Sequence, residues 1–485
     1  MTTTVSSKFV VGSRKSWLAL AVLLTGAFMA LLDTTIVNVA IPTIRTSLAS
    51  SNATLSWVVS GYALAFGLAL IPAGRVGDRV GHRWVFIVGL SFFTFASLAC
   101  GLARDDAQLI AARAVQGLAG GMFFTTITAL IQLMFAGRQR ARAFATMGAT
   151  IGLSTALGPL AGGLIIQGFG TDLGWRLVFG VNVPIGVLAV VAARFLLPGG
   201  AENAKAAVDW AGFVLLSSGL VALLTPLIEG QQEDWPVWTF VSMTGGIALI
   251  VVFALWERRI QKTGGNPLVP PRLFAHPSFT GGVLLGLVYF AAFTSIFFTI
   301  ALLWQAGLGH TALQSGLVVT PFAVGTMIGA SRTDALAARF GRTVLAAGLG
   351  LVAIGITAIW LVLALTPVTG YRGWQLLVPL LVAGVGSGLF IAPNVDFIVA
   401  TVDRADAGAA SGVIGTMQRV GSAIGIAIIG TVLFGTLHFR SFGRTAAAAA
   451  FGHSATLAMA VSAGLSVAAF ALVFALPKHA EITAD

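Results

Sequence analysis

Apolar residues fill this chain in long runs, each close to the length a helix needs to cross a bilayer and each closed by a charge, a proline or a glycine. The runs fall at 17–40, 55–73, 84–103, 107–134, 143–167, 176–197, 208–228, 237–256, 279–303, 312–331, 343–365, 374–398, 408–435 and 454–476. Barrel strands would be about half as long and would alternate in polarity, so these runs predict fourteen transmembrane helices. The expected fold class is all-α and integral to the membrane.

Composition agrees with that pattern. Hydrophobic residues make up 57% of the 485 positions and charged ones 9%, with a mean hydropathy of +0.93, whereas a soluble domain carries about 25% charged residues. The net charge of +11 raises the question of nucleic acid. No basic tract exists, however, and Lys and Arg are confined to short gaps between apolar runs, so no nucleic-acid partner is expected.

Those gaps orient the chain. With the N-terminus in the cytoplasm, 20 basic residues fall on inner segments, among them Lys8, Arg14, Lys15, Lys205, Arg404, Lys478 and the groups around Arg79, Arg140 and Arg339. Six fall outside: Arg45, Arg104, Arg176, Arg372, Arg440 and Arg444. The bias predicts that both termini are cytoplasmic. The first run follows basic residues as a signal peptide would, but it is too long and lacks a cleavage site, so it reads as a retained helix. Only five of the 28 basic residues are Lys, and Ala and Gly are abundant. This suggests a high-GC bacterial genome and hence a multi-pass protein of a bacterial inner membrane.

The longest inner loop, 257–278, holds Gly264, Gly265, Pro267, Pro270, Pro271 and several basic residues, and reads as a linker. An internal repeat supports two halves. Gly77-Asp78-Arg79-Val80-Gly81-His82-Arg83 follows the second run, and Ala337-Ala338-Arg339-Phe340-Gly341-Arg342 follows the tenth. With the seventh and eighth helices as an insertion, both loops occupy the same place in a six-helix unit, which is a transporter architecture. The expected division is 1–200 for an N-terminal six-helix bundle, 201–262 for two added helices, 263–278 for the linker and 279–485 for a C-terminal six-helix bundle.

Charges inside membrane helices are costly and usually functional. Asp33 lies seven residues from the outer end of the first run and Arg113 six from the outer end of the fourth, which places both about 10 Å below that surface. At a shared depth Arg113 lowers the cost of an ionised Asp33, and protonating Asp33 would release Arg113, as a proton antiporter requires. The bland alternative is a static buried ion pair. Arg419 lies near the middle of the thirteenth run, with two readings: a site for an anionic group, or a residue that bonds carbonyls and pins its helix. Asp396, two residues from the inner end of the twelfth run, reads as interfacial.

Gly74-Arg75-Val76-Gly77-Asp78-Arg79-Val80-Gly81-His82-Arg83 resembles the signature loop of the major facilitator superfamily, in which the glycines allow a tight turn. The resemblance implies a cytoplasmic gate at Gly74, Asp78, Arg79, Gly81 and Arg83, with Asp78, Arg79 and Arg83 as its charge latch. Ala338 stands where the second copy would carry an acid, which makes the latch one-sided. Gly148, Gly152, Ser154, Gly158, Pro159, Gly162 and Gly163 on the fifth run are similar to the antiporter signature of the superfamily's drug exporters. Gly158, Pro159, Gly162 and Gly163 match it, while Ala145 and Ser154 replace upstream glycines. Small residues four apart also suit any close-packed membrane helix.

Leu32-Asp33-Thr34-Thr35-Ile36-Val37-Asn38 through Pro42 looks like the first-helix signature of the fourteen-segment drug:proton antiporters of the multidrug efflux type. Trp57, Tyr62 and Gly174-Trp175-Arg176 through Phe179, Asn182, Pro184 and Gly186 match the same family. Arg113-Ala114-Val115-Gln116-Gly117 resembles its buried-arginine signature, with weaker matches at Trp304-Gln305 and Gln418-Arg419. By resemblance, Asp33 and Arg113 couple protons, and Asn38, Trp57, Tyr62, Gln116, Trp304, Gln305, Asn394 and Arg419 line a substrate cavity.

Function classes then separate. Secondary export of amphiphilic drugs or secondary metabolites by proton antiport and alternating access, acting as a monomer, is the first reading. Export or flipping of lipids or lipid-like molecules is the second. An enzyme is disfavoured: His82, His276, His310, His438, His453 and His479 lie in or beside loops without ligand spacing, so neither metal nor cofactor is expected. No Gly-rich phosphate loop ending in Lys-Ser or Lys-Thr supports an ATP-driven pump. Cys100, the lone cysteine, reads as a packing residue.

Overall fold

The structure, a computed structural model, describes residues 13–50, 52–199, 209–230, 233–265, 267–399, 402, 406–438 and 443–475. Both chain termini, Lys8, Lys205, Arg404, Arg440, Lys478 and the expected boundary at 200/201 lie outside the described residues.

No strand occurs among the described residues. The helices are α1 (Arg14–Leu48), α2 (Asn52–Val80), α3 (His82–Leu102), α4 (Asp106–Met134), α5 (Gly137–Gly180), α6 (Asn182–Leu196), α7 (Trp210–Glu229), α8 (Val237–Lys262), α9 (Pro277–Leu302), α10 (Ala312–Phe340), α11 (Thr343–Leu365), α12 (Leu377–Val399), α13 (Ala407–Gly435) and α14 (Arg444–Leu472). Thirteen segments among the described residues are long and apolar enough to cross a membrane. The difference from fourteen lies at Arg142–Leu196, a 55-residue segment that contains both the fifth and the sixth apolar run.

A straight helix of that length would reach about 80 Å, against a hydrocarbon core of about 30 Å. The chain breaks instead at Gly170, whose φ of 77° and ψ of −179° are open to glycine. A Cβ placed on Gly174 would sit 2.8 Å from the Cα of Ile166. Eight residues along a continuous helix span about 12 Å, so the chain doubles back there.

Several helices outrun their apolar runs. α1 continues to Leu48 before Ala49 ends it in a left-handed conformation, its N–H bonded to the Arg45 carbonyl. α2 carries Asp78 and Arg79 in its last turn. A helix holds its backbone bonds at the interface as well as in hydrocarbon, so hydropathy locates the membrane crossing and not the helix end.

The described residues gather into two compact units. One comprises residues within 1–147, 165–279 and 402–416, the other residues within 148–164, 280–401 and 417–485. In the first, α4 packs on α2 and α3, and α6 on α3 and α1. In the second, α12 packs on α10 and α11, and α11 on α14. Glycines set these contacts: Gly117 and Gly121 of α4 leave no space for a Cβ against the Tyr62 and Phe66 carbonyls of α2. Gly384 and Gly388 of α12 meet the Phe322 and Thr326 carbonyls of α10 in the same way. Small residues exchange side-chain volume for close backbone approach, which drives helix association where no water is left to expel. α7 and α8 form a hairpin through Gly219 and Gly246, and α7 rests on α2.

Candidate functional site

Five helices of the first unit converge on Asp33. The carboxylate is fully buried, as is Arg113 at 1% exposure. Arg113 Nη1 donates to Asp33 Oδ2 at 2.5 Å and to Gln116 Oε1 at 2.8 Å. Gln116 Nε2 donates to Asp33 Oδ1 at 2.9 Å, and Asn182 Nδ2 donates to the same oxygen at 3.2 Å. Asp33 thus accepts from three side chains on two helices, α4 and α6.

The guanidinium is held from other sides too. Its Nε donates to the Val58 carbonyl of α2 at 3.0 Å. Its carbon lies 4.0 Å from the centre of the Tyr62 ring and 5.7 Å from that of Phe179. A desolvated cation over an aromatic face gains about 2 kcal/mol. Tyr62 donates to the Ala30 carbonyl at 3.1 Å, which joins α2 to α1 one turn from Asp33. Behind the carboxylate, Asn182 Nδ2 also donates to Ser97 Oγ at 3.1 Å, and Ser97 donates to the Phe179 carbonyl at 2.9 Å. Cys100 donates its weak S–H to Gln116 Oε1 at 3.4 Å.

Local sequence explains the assembly. Arg113 and Gln116, three apart, share one face of α4, and Gly117 beside them brings α4 against α2, where the Val58 carbonyl waits. Asp33 lies 15 residues from the end of α1, because α1 extends eight residues past the first run. Asn182 and Ser97 were absent from the expected site. Asn182 could have been found: a carboxamide entering an apolar helix is costly unless it is bonded. The carbonyl of Val58 carries no sequence signal.

The other expected cavity residues divide between the two units. In the first unit, exposed Asn38 donates to the Thr34 carbonyl of its own helix at 3.3 Å. Trp57 Nε1 donates to Glu229 at the end of α7. In the second unit, Trp304 is buried at 3% exposure in a π-helical turn, Leu303–Gly307, that also carries Gln305. Asn394 of α12 donates to the Gly282 carbonyl at 3.1 Å, and Arg419 is half-buried in α13. A small apolar cavity in this unit is lined by Ile151, Gly152, Phe293, Phe322, Thr326 and Ile391, among others.

The repeated glycine contacts align the two units residue by residue. Because Gly384 stands in α12 where Gly117 stands in α4, Leu380 takes the place of Arg113 and Ala383 that of Gln116. Both are fully buried. The second unit therefore has an apolar core where the first has its charges.

At the signature loop, Asp78 pairs with Arg75 Nη1 at 3.9 Å and with His82 Nε2 at 3.1 Å. The expected partners differ. Arg79 is exposed, since the next residue on a helix points about 100° away, whereas positions three and four apart share a face. Arg83 donates to the Arg194 carbonyl of α6. Arg75 also donates to the Pro267 and Leu268 carbonyls of the linker at 2.7 and 3.0 Å. Gly74 and Gly81 are buried, and Gly81 turns the chain with φ 95°.

On α5, Gly158, Gly162 and Gly163 are buried and Pro159 half-buried. A Cβ on Gly163 would meet the Leu313 backbone of α10 at 3.1 Å, and one on Gly316 would meet Pro159 at 2.8 Å. Pro159 and Gly163, four apart on one face of α5, thus touch α10.

Known proteins match this chain along most of its length. A probable actinorhodin transporter of Streptomyces coelicolor is 38% identical over 426 residues, 87% of this chain and 73% of the relative. The puromycin resistance protein of Streptomyces alboniger is 32% identical over 481 residues, 97% and 93% of the two chains. The tetracenomycin C resistance and export protein of Streptomyces glaucescens is 32% identical, over 86% and 76%. Among solved structures, a proton:xylose symporter matches 92% of this chain and 94% of its own, with a TM-score of 0.63 and 14% identity. Residues 23–426 match the Major Facilitator Superfamily, and the chain belongs to that family of multi-pass membrane transporters, not to an enzyme class.

Proposed function

We propose that this chain is a bacterial inner-membrane exporter that exchanges protons for a small amphiphilic drug or secondary metabolite. The observation that carries the reading is the Asp33 cluster: one fully buried carboxylate bonded to one buried arginine, inside a helix bundle. The relatives' names, which speak of resistance and export, supply the direction of transport and the substrate class.

A proton arriving at Asp33 removes the charge that holds Arg113 Nη1. Arg113 keeps the Val58 carbonyl, Gln116 Oε1 and the Tyr62 ring, so its charge stays solvated by the protein while its tie to α1 weakens. Loss of that tie biases α1 against α4, and alternating access follows when the two orientations of the carrier differ in this bond. Both termini in the cytoplasm, a monomeric carrier and a fourteen-helix count divided at 200/201, 262/263 and 278/279 complete the reading.

Purified protein in proteoliposomes tests it. A panel of amphiphiles is applied while internal pH is recorded, and substrate-evoked proton movement opposite to substrate flux is expected for wild type and lost in Asp33→Asn. Proton movement at wild-type rate in Asp33→Asn overturns the assignment. A response confined to lipid-like members of the panel favours lipid export.

A further inference from the structure

Alone among the polar atoms of the Asp33 cluster, Asn182 Oδ1 is buried and has no hydrogen-bond partner. It belongs to the residue whose Nδ2 bridges Asp33 Oδ1 and Ser97 Oγ. A carboxamide presents two donors on one side and an acceptor with two lone pairs on the other, in nearly the same shape. In the orientation seen, the donors face an ionised carboxylate. Once Asp33 carries a proton on Oδ1, the same orientation sets N–H against O–H, and the acceptor faces nothing.

We infer that Asn182 is a positioning residue that reads the proton on Asp33: its side-chain amide turns by half a rotation about its terminal bond and receives the acid O–H at Oδ1. The Ser97 hydroxyl acts as the pivot. It donates to the Phe179 carbonyl while Asn182 donates to it, and it turns to donate to Oδ1 after the amide rotates, so that one carbonyl oxygen accepts from both neighbours. Neither orientation satisfies every polar atom. The ionised state leaves Oδ1 unpaired and the protonated state leaves Nδ2 unpaired, so the amide is locked in neither and the proton decides.

The ionisable groups facing this carboxyl are Arg113 of α4, with Tyr62 of α2 against that arginine and Cys100 of α3 against Gln116. Arg113 and Gln116 can only donate to Asp33 in the bonds described, because Gln116 Oε1 is occupied by Arg113 and Cys100. Asn182 is thus the group with an acceptor to spare.

The inference rests on the proton-coupling reading, and infrared difference spectroscopy separates the two. Wild type, Asp33→Asn, Asn182→Leu and Asn182→Ser, reconstituted in liposomes, are titrated from alkaline to acid, and the carbonyl stretch of the protonated acid is followed. Asp33→Asn identifies the band by removing it. In Asn182→Leu the band is expected to move to higher wavenumber, as an acid does when its O–H loses an acceptor, and proton-driven uptake to fall about tenfold, the effect of one buried group left unpaired. Asn182→Ser, whose hydroxyl both donates and accepts, is expected to restore the band position and most of the uptake. A band that Asp33→Asn removes but that stays put in Asn182→Leu overturns the role of Asn182 and leaves proton coupling standing. A spectrum in which Asp33→Asn removes no band overturns both. If Asn182→Leu fails to fold, an unshifted band in Asn182→Ser with the Ser97→Ala exchange added overturns the pivot.

Discussion

Removing either charge of the Asp33–Arg113 pair should harm the protein more than removing both. With both side chains almost fully buried, screening by solvent is absent and the pair's attraction is about 4 kcal/mol at 4 Å with an effective dielectric constant of 20. Arg113→Gln leaves Asp33 with only the Gln116 and Asn182 amides, and an uncompensated buried charge costs about 3–5 kcal/mol. Asp33→Asn leaves Arg113 with the Val58 carbonyl, Gln116 Oε1 and the Tyr62 face, so its cost falls below that of Arg113→Gln. The double variant has no buried charge left to compensate. Its destabilisation should therefore be less than the sum of the singles, with an interaction energy near 3 kcal/mol, the upper end for groups in one network. Steric trapping in bicelles measures the unfolding free energies of all four proteins. Strict additivity would refute the reasoning, because it would mean that each charge finds equivalent solvation without the other.

Three further outcomes follow from contacts described above. Gly121→Leu drives a side chain into the Phe66 carbonyl of α2 and should cut the yield of folded protein by size-exclusion chromatography, the strain amounting to at least about 1–3 kcal/mol. Gly163→Leu, against the Leu313 backbone at 3.1 Å, should block exchange, whereas Gly168→Ala, with nothing within 4 Å, should export at wild-type rate in the same vesicles. Asp78→Asn, which loses the ionic contact with Arg75 and alters the hydrogen bond with His82, should slow turnover severalfold, while Arg79→Gln should leave it unchanged; equal effects would return the latch to the arginine expected from sequence.

Hydropathy exposes where the chain crosses a membrane, and so the all-helical architecture is visible in the runs themselves. The Gly170 reversal is legible as well, because it falls in the gap between the fifth and sixth runs, where Thr171 and Asp172 interrupt the apolar residues; what hydropathy leaves out is that the backbone stays helical on both sides of it. The pairing of Asp33 with Arg113 is legible because charges in hydrocarbon are rare and each needs compensation. Asn182 is harder to see, since its value comes from which way its amide points, and Val58 is invisible because any residue offers a carbonyl. At the signature loop the motif displays Arg79 and Arg83, whereas helix phase brings Arg75 and His82 to Asp78.

The α7–α8 hairpin is fastened at few points: Trp57 to Glu229 at one end, Arg75 to the Pro267 and Leu268 carbonyls just beyond the other. None of its described side chains bonds to the Asp33 cluster. An evolving gene can therefore gain, lose or rewrite this pair of helices without retuning the ionic machinery, since selection on one scarcely touches the other. The hairpin is a place where a lineage can experiment, with the α2 face under α7 and the Trp57–Glu229 contact as the parts that would change in step with it.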